Sequence, residues 1–220
     1  MSNYILKYTR GNHVKYISHL DFVRMFHRAV RRANLPFVFS QGFNPHPIMT
    51  IASPLSVGVT ADGEYMKVGF DTELSEAEIK ELLNRSLPDG FSIKSVTLTE
   101  GKEYDFNKIS RAEYYIDAEA ENPDIFNPEA LLKQATIVVL KKSKSGEKET
   151  DIKQLIYLLE KAEPESGNIA FKLICAAGNN ATLKPDTVID AINKYLPDVG
   201  INFFSVHRKA LLTDDNNELI

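Results

Sequence analysis

Residues Ser18–Pro47 read SHLDFVRMFHRAVRRANLPFVFSQGFNPHP. The stretch divides at Leu35-Pro36. Before that point apolar side chains recur every three or four residues, the period of a helix with one buried face. After it come a short extended run, Phe37 to Ser40, and a loop dense in breakers, Gly42 to Pro47. Ser18, with Asp21 three positions on, fits an N-cap hydroxyl and a first-turn acid, so a helix is predicted from Ser18 to about Ala33.

The flanking segments give this helix its place. NYILKYT, residues 3–9, is rich in tyrosine and aliphatic side chains and reads as a strand. Gly11-Asn12 marks a turn, and HVKYI reads as short and extended. Residues 48–52 and 64–71 are strand candidates. Ser75 caps a second helix, SEAEIKELLNRSL, which Pro88-Asp89-Gly90 stops. FSIKSVTLT, residues 91–99, alternates as a strand. The order β-α-β-β-α-β is the split βαβ pattern.

A polar linker is expected over Thr99–Ser110, and the second half repeats the order loosely. Strands are predicted at 113–120, 136–141, 169–176 and 203–211. Helices are predicted at 128–134 and 185–195. SKSGEKET, residues 143–150, reads as an exposed turn, ETDIK as a solvated strand edge, and TDDNNELI as a frayed tail. Residues 152–159 fit strand or helix. The expectation is an α+β chain of two tandem ferredoxin-like units with antiparallel sheets. Residues 1–100 form an N-terminal domain with the basic helix and the GFNPHP loop, and residues 111–220 an acidic C-terminal domain.

Composition narrows the functional classes. The chain has 220 residues, 43% hydrophobic and 25% charged, which suits folded rather than disordered material. No apolar run approaches a membrane span, and MSNYILKYTR lacks a signal core. The single cysteine, Cys175, excludes an internal disulfide and any cysteine-based metal cluster. These features point to the cytoplasm, with no membrane partner, no metal and no cofactor. GxGxxG, GxxxxGK[ST] and GxSxG are absent.

Charge is unevenly placed. Residues 1–61 carry seven basic groups against one acid, Asp21, a net +6, so a chain of net −4 carries −10 in the remainder. Such asymmetry suggests that the basic segment meets something anionic. With Leu20 at 0° and about 100° per residue, Phe22, Val23, Phe26, Ala29, Val30 and Ala33 fall on one side of the helix. Arg24, Arg28, Arg31 and Arg32 fall on the other. Like charges at i,i+4 repel by a few tenths of a kcal/mol, roughly, so the row calls for neutralisation. RNA phosphates, an acidic protein partner and the acidic half of the same chain all fit that need. A guanidinium forks onto phosphate or carboxylate, which all three supply, and a simply solvated helix face is the further alternative.

Four of the five histidines, His13, His19, His27 and His46, lie within the first 46 residues. His19 sits in the first helical turn, where the helix dipole favours the neutral ring. His46 is clamped between Pro45 and Pro47, which restrict how its ring is presented. Gly42 and Asn44 supply unusual backbone geometry. Ser18, His19, Asp21, Ser40, Asn44 and His46 form a constellation that suits phosphate binding, weak metal binding or acid–base work. His19 and Asp21 do not share a helical face and no HxxxH spacing occurs, so the metal signal is weak. His19, His46 and Asp21 are the candidates for catalysis. Arg24, Arg28, Arg31, Arg32, Asn44 and His46 are the candidates for RNA contact.

The stretch from Tyr16 to Val68 also resembles the start of the bacterial radical-SAM-linked protein family, whose function is unknown. The resemblance is carried by SHLD (Ser18, His19, Asp21), the RRA run, the S-x-GFNPHP loop (Ser40, Gly42, Phe43, Asn44, Pro45, His46, Pro47) and the PLSVG…GEY segment. It continues more loosely through LNRSLPDGF, ETDIK and LKPD. Members stand alone or are fused to radical SAM proteins. This chain lacks the CxxxCxxC cluster motif, so the resemblance implies an accessory whose radical SAM partner does the chemistry, in an RNA context such as tRNA or rRNA. It transfers no catalytic residue. An RNA-processing enzyme using His19 and His46, and an interaction module without RNA, are the alternatives.

Overall fold

A computed structural model describes residues 1–99, 104–143 and 146–220. The chain forms two compact units, Met1–Phe106 and Asn107–Glu218. The linker expected at Thr99–Ser110 falls partly outside the described residues. Both units mix helices with antiparallel sheet, as the α+β expectation requires. Among the described residues no helix is long and apolar enough to cross a membrane.

The first unit runs β1 (Ser2–Arg10), α1 (His19–Arg32), β2 (Met49–Ile51), β3 (Thr60–Phe70), α2 (Glu76–Ser86) and β4 (Phe91–Leu98). Its sheet order is β4-β1-β3-β2, every pair antiparallel. Alternate residues of β1, Tyr4, Leu6 and Tyr8, enter the helix-covered core with Phe22, Phe26 and Val30 of α1 and Ile79 and Leu83 of α2. The rings interlock, with Tyr8 stacked on Phe22 at 5.2 Å and Phe22 against Phe91 at 5.4 Å. Buried Tyr4 keeps its hydroxyl satisfied by donating to the Leu74 carbonyl and accepting from the Leu74 N–H, both at 2.8 Å.

Local chemistry sets the ends of α1. Ser18 Oγ accepts from the Asp21 N–H at 3.2 Å. At the other end Asn34 takes a left-handed φ of 54°. The Leu35 N–H then reaches the Val30 carbonyl and the Asn34 N–H the Arg31 carbonyl, a Schellman closure. HVKYI differs from its extended reading, since Asn12–Val14 is a 3₁₀ turn. The cause is Arg10, only 4% exposed, whose guanidinium donates to the carbonyls of Val14, Lys15 and Ile17 and gathers the chain around itself. Arg10 therefore leaves the count of surface cations.

The second unit runs β5 (Arg111–Ala120), α3 (Pro128–Leu132), β6 (Val138–Ser143), β7 (Gly146–Asp151), β8 (Ile156–Ala162), β9 (Ile169–Ala176), α4 (Pro185–Tyr195) and β10 (Ile201–Leu212). The sheet order β10-β5-β9-β8 is again antiparallel throughout. β6 and β7 pair as a separate two-stranded hairpin. Of SKSGEKET, residues 146–150 lie in the second arm of that hairpin, and residues 144–145 lie outside the described residues. Asp151 is exposed at the end of β7, and its carboxylate also accepts from the N–H groups of Ile137 (2.9 Å) and Lys153 (3.0 Å). The tail also turns back, with Glu218 bridged to Leu212 and Asn216 accepting from Arg111 at 2.9 Å. Asp117 ties the β8–β9 turn by accepting from the Glu165, Ser166 and Gly167 N–H groups and the Ser166 hydroxyl. Gly167 is required there, since a Cβ would lie 2.2 Å from the Ala118 carbonyl oxygen.

Candidate functional site

The segment after α1 folds into a narrow ribbon. The Ile48 N–H donates to the Val38 carbonyl at 2.8 Å and the Ser40 N–H to the His46 carbonyl at 2.9 Å. Ser40 and His46 therefore face each other at the neck, and residues 41–45 form the tip. Gly42 takes a φ of 124°, open to glycine and strained for other residues. The Phe43 ring projects fully into solvent, at 106% of its reference exposure.

His46 is oriented by its neck partner. Its N–H donates to Ser40 Oγ at 3.1 Å, and its Nδ1 lies 3.0 Å from the same hydroxyl. Ser40 Oγ thus holds His46 through both its backbone N–H and its ring. That arrangement engages Nδ1 at the neck and leaves Nε2 as the ring nitrogen facing away from Ser40. The Asn44 carbonyl is 3.5 Å from Nδ1, at the outer limit of a hydrogen bond.

A cleft of about 300 Å³ opens beside this ribbon. One wall is α1, through His19, Val23 and His27, at i, i+4 and i+8. The other is His46 with Pro47, and β2 supplies the floor through Met49, Thr50 and Ile51. His27 is half-buried, and its pKa is lowered from 6.5 by burial, then by the Arg31 guanidinium one turn away, then by His46. His19 also borders a void of about 10 Å³, the size of one water, alongside the buried Arg10 and Glu64.

The predicted constellation therefore splits. His19 and His46 meet across one cleft, and Ser40 acts through His46. Ser18 and Asp21 stay together at the helix start, where the Ser18 hydroxyl also donates to the Asp21 carboxylate at 2.8 Å. Asp21 pairs outward with Arg24 at 3.3 Å and does not line the cleft. The Asn44 side chain is exposed at the tip. His27 was missed as a site residue, although its position eight residues after His19 was a readable signal.

The arginine row also divides. Arg24, Arg28 and Arg31 are exposed. Among the described residues neither Arg28 nor Arg31 has an acidic partner. Arg32 instead donates to the Ser86 carbonyl at 2.6 Å, capping the last turn of α2. No group of three or more histidine, cysteine or acidic side chains suited to a metal occurs among the described residues. A second cavity, about 220 Å³, lies in the second unit, lined by Asn107, Ser110, Asn179, Asn180, Tyr157 and Asp214 among others. It has amides and a single acid where the first cleft has three imidazoles.

The chain is similar in structure to a chain of a Cbf5-Nop10-Gar1 complex, at a TM-score of 0.47 and 13% identity. That likeness covers 94% of this chain and 47% of the other, so the protein spans about half the length of that relative. An unknown protein from Galdieria sulphuraria is similar at a TM-score of 0.28 and 13% identity, over 94% of this chain and 98% of that one. No curated protein matches the sequence. Residues 3–207 match the family described as an uncharacterized protein conserved in bacteria (DUF2344), and the chain, matched over nearly its whole length, belongs to that family.

Proposed function

We propose that the protein is a non-catalytic accessory of a radical SAM enzyme and that it binds RNA, tRNA or rRNA, along α1 and the ribbon tip. One observation carries the RNA reading: Arg24, Arg28 and Arg31 lie exposed in a row, on the same unit as the fully exposed Phe43 ring. Guanidinium groups track a phosphate backbone, and an aromatic ring stacks on unpaired bases. The radical SAM partner rests on the sequence resemblance. The strand orders support reading each unit as ferredoxin-like, with the β6–β7 hairpin inserted into the second. Several RNA-binding proteins use that fold, and this support is analogy.

Filter binding with total tRNA and rRNA fragments tests the proposal. The expected result is salt-dependent affinity that falls by about tenfold or more in an Arg28→Glu/Arg31→Glu variant. Phe43→Ala should lower affinity for single strands by about tenfold, within the range of one lost stacking contact. Unchanged affinity in the arginine variant would sink the RNA face. Co-purification of a polypeptide with no nucleic acid would move the row to an acidic protein partner.

A further inference from the structure

The cleft concentrates basic groups without a carboxylate. α1 contributes His19 and His27, with Arg31 acting on His27 from one turn on. The ribbon contributes His46, and β2 contributes Met49, Thr50 and Ile51, none of which titrates in this range. Asp21, the acid of the same helix, is occupied by Ser18 and Arg24. Positive groups facing one void repel, and a bound anion turns that repulsion into attraction. Ser40 holds the His46 ring by Nδ1, so Nε2 is the nitrogen left to meet a ligand.

The kind of anion follows from charge. A phosphodiester within a strand carries one negative charge, which the exposed arginine row already suits. A phosphomonoester carries about −1.5 to −2 near neutral pH, with three free oxygens. Three imidazoles around a space of about 300 Å³ match that second group, with room for the attached sugar.

We propose that the cleft lined by His19, His27 and His46 binds the terminal phosphate of an RNA strand, its oxygens accepting from the imidazole N–H groups. This rests on the RNA reading above and adds recognition of a chain end to it. Binding draws a proton onto His27, because the phosphate offsets Arg31 and His46. Affinity therefore rises as the pH falls from about 7.5 towards 6.

The test uses the full chain, with histidine ring protons followed by NMR and oligoribonucleotides of one sequence bearing a 5′-phosphate, a 3′-phosphate or neither. Inorganic phosphate should raise the His27 pKa. One phosphorylated oligonucleotide should bind about tenfold more tightly than the unphosphorylated one, which also identifies the end recognised. His46→Ala and His27→Gln should each remove that preference, and His27→Gln should keep the arginine-dependent affinity for the unphosphorylated strand. Equal affinity for all three strands, or an identical His27 response to chloride and to phosphate, overturns the inference. If the strands bind equally but still depend on Arg28 and Arg31, the RNA reading stands and the end-recognition site falls. If phosphate shifts His27 but no oligonucleotide binds, the RNA reading falls and takes the assignment to an RNA end with it.

Discussion

His27 shows how position alone can change a common residue. On the helical wheel it lies between the core stripe and the arginine row, so its ring is half-buried and Arg31 sits one turn away. Its folded pKa lies below 6.5, the value for an unperturbed ring. Above about pH 7.5 it is neutral in both folded and unfolded chains and contributes nothing to pH dependence. As the pH falls below that, the unfolded chain takes up the proton more readily than the folded one, and stability drops. Urea midpoints should therefore fall between about pH 7.5 and 5.5 in phosphate-free buffer, and His27→Gln should flatten part of that decline. An unaltered slope in the variant would show that the ring is not held neutral. His46 carries the opposite lesson. Its two prolines and its association with Ser40 were legible, whereas the double contact by which Ser40 holds the ring and its backbone N–H became visible only once the ribbon closed.

At the scale of elements, α1 follows its pattern closely. Phe22, Phe26, Ala29 and Val30 are buried as the wheel requires, and Ser18 caps the start. These features arise within a few turns of chain, so local periodicity reports them. Arg32 departs from the row because its partner lies on another helix, 54 residues along the chain. Arg32→Ala should lower folding stability by up to about 1 kcal/mol, the scale of an exposed charge-assisted contact, as measured by chemical denaturation. It should alter RNA affinity less than Arg28→Ala, which should reduce the salt slope by about one phosphate contact. Equal effects of the two variants on RNA would return Arg32 to the row. The same distinction explains the hairpin β6–β7. Its second arm, GEKETD, has no apolar alternation, and pairing with VVLKKS makes it a strand.

Across the whole molecule, charge is partitioned as much as structure. The chain is net −4, yet the positive charge gathers in the segment that contains α1 and the cleft. RNA affinity should consequently fall steeply with salt even though the protein is acidic, each phosphate contact contributing about −0.9 to the slope of log affinity against log salt on duplex RNA, by analogy with DNA. A flat salt response would mean that the arginines meet no phosphate.

Sequence by itself determined the α+β class, the course and caps of α1 and the identity of its two faces. Each depends on contacts within a few residues, where spacing and stereochemistry act directly. Tertiary structure alone decided that His27 joins His19 and His46, that Asp21 turns away from them, that Arg10 is buried and that Arg32 caps α2. Each of those outcomes depends on which distant backbone a side chain meets. One-dimensional spacing carries no record of that choice until the sheet and helices have packed.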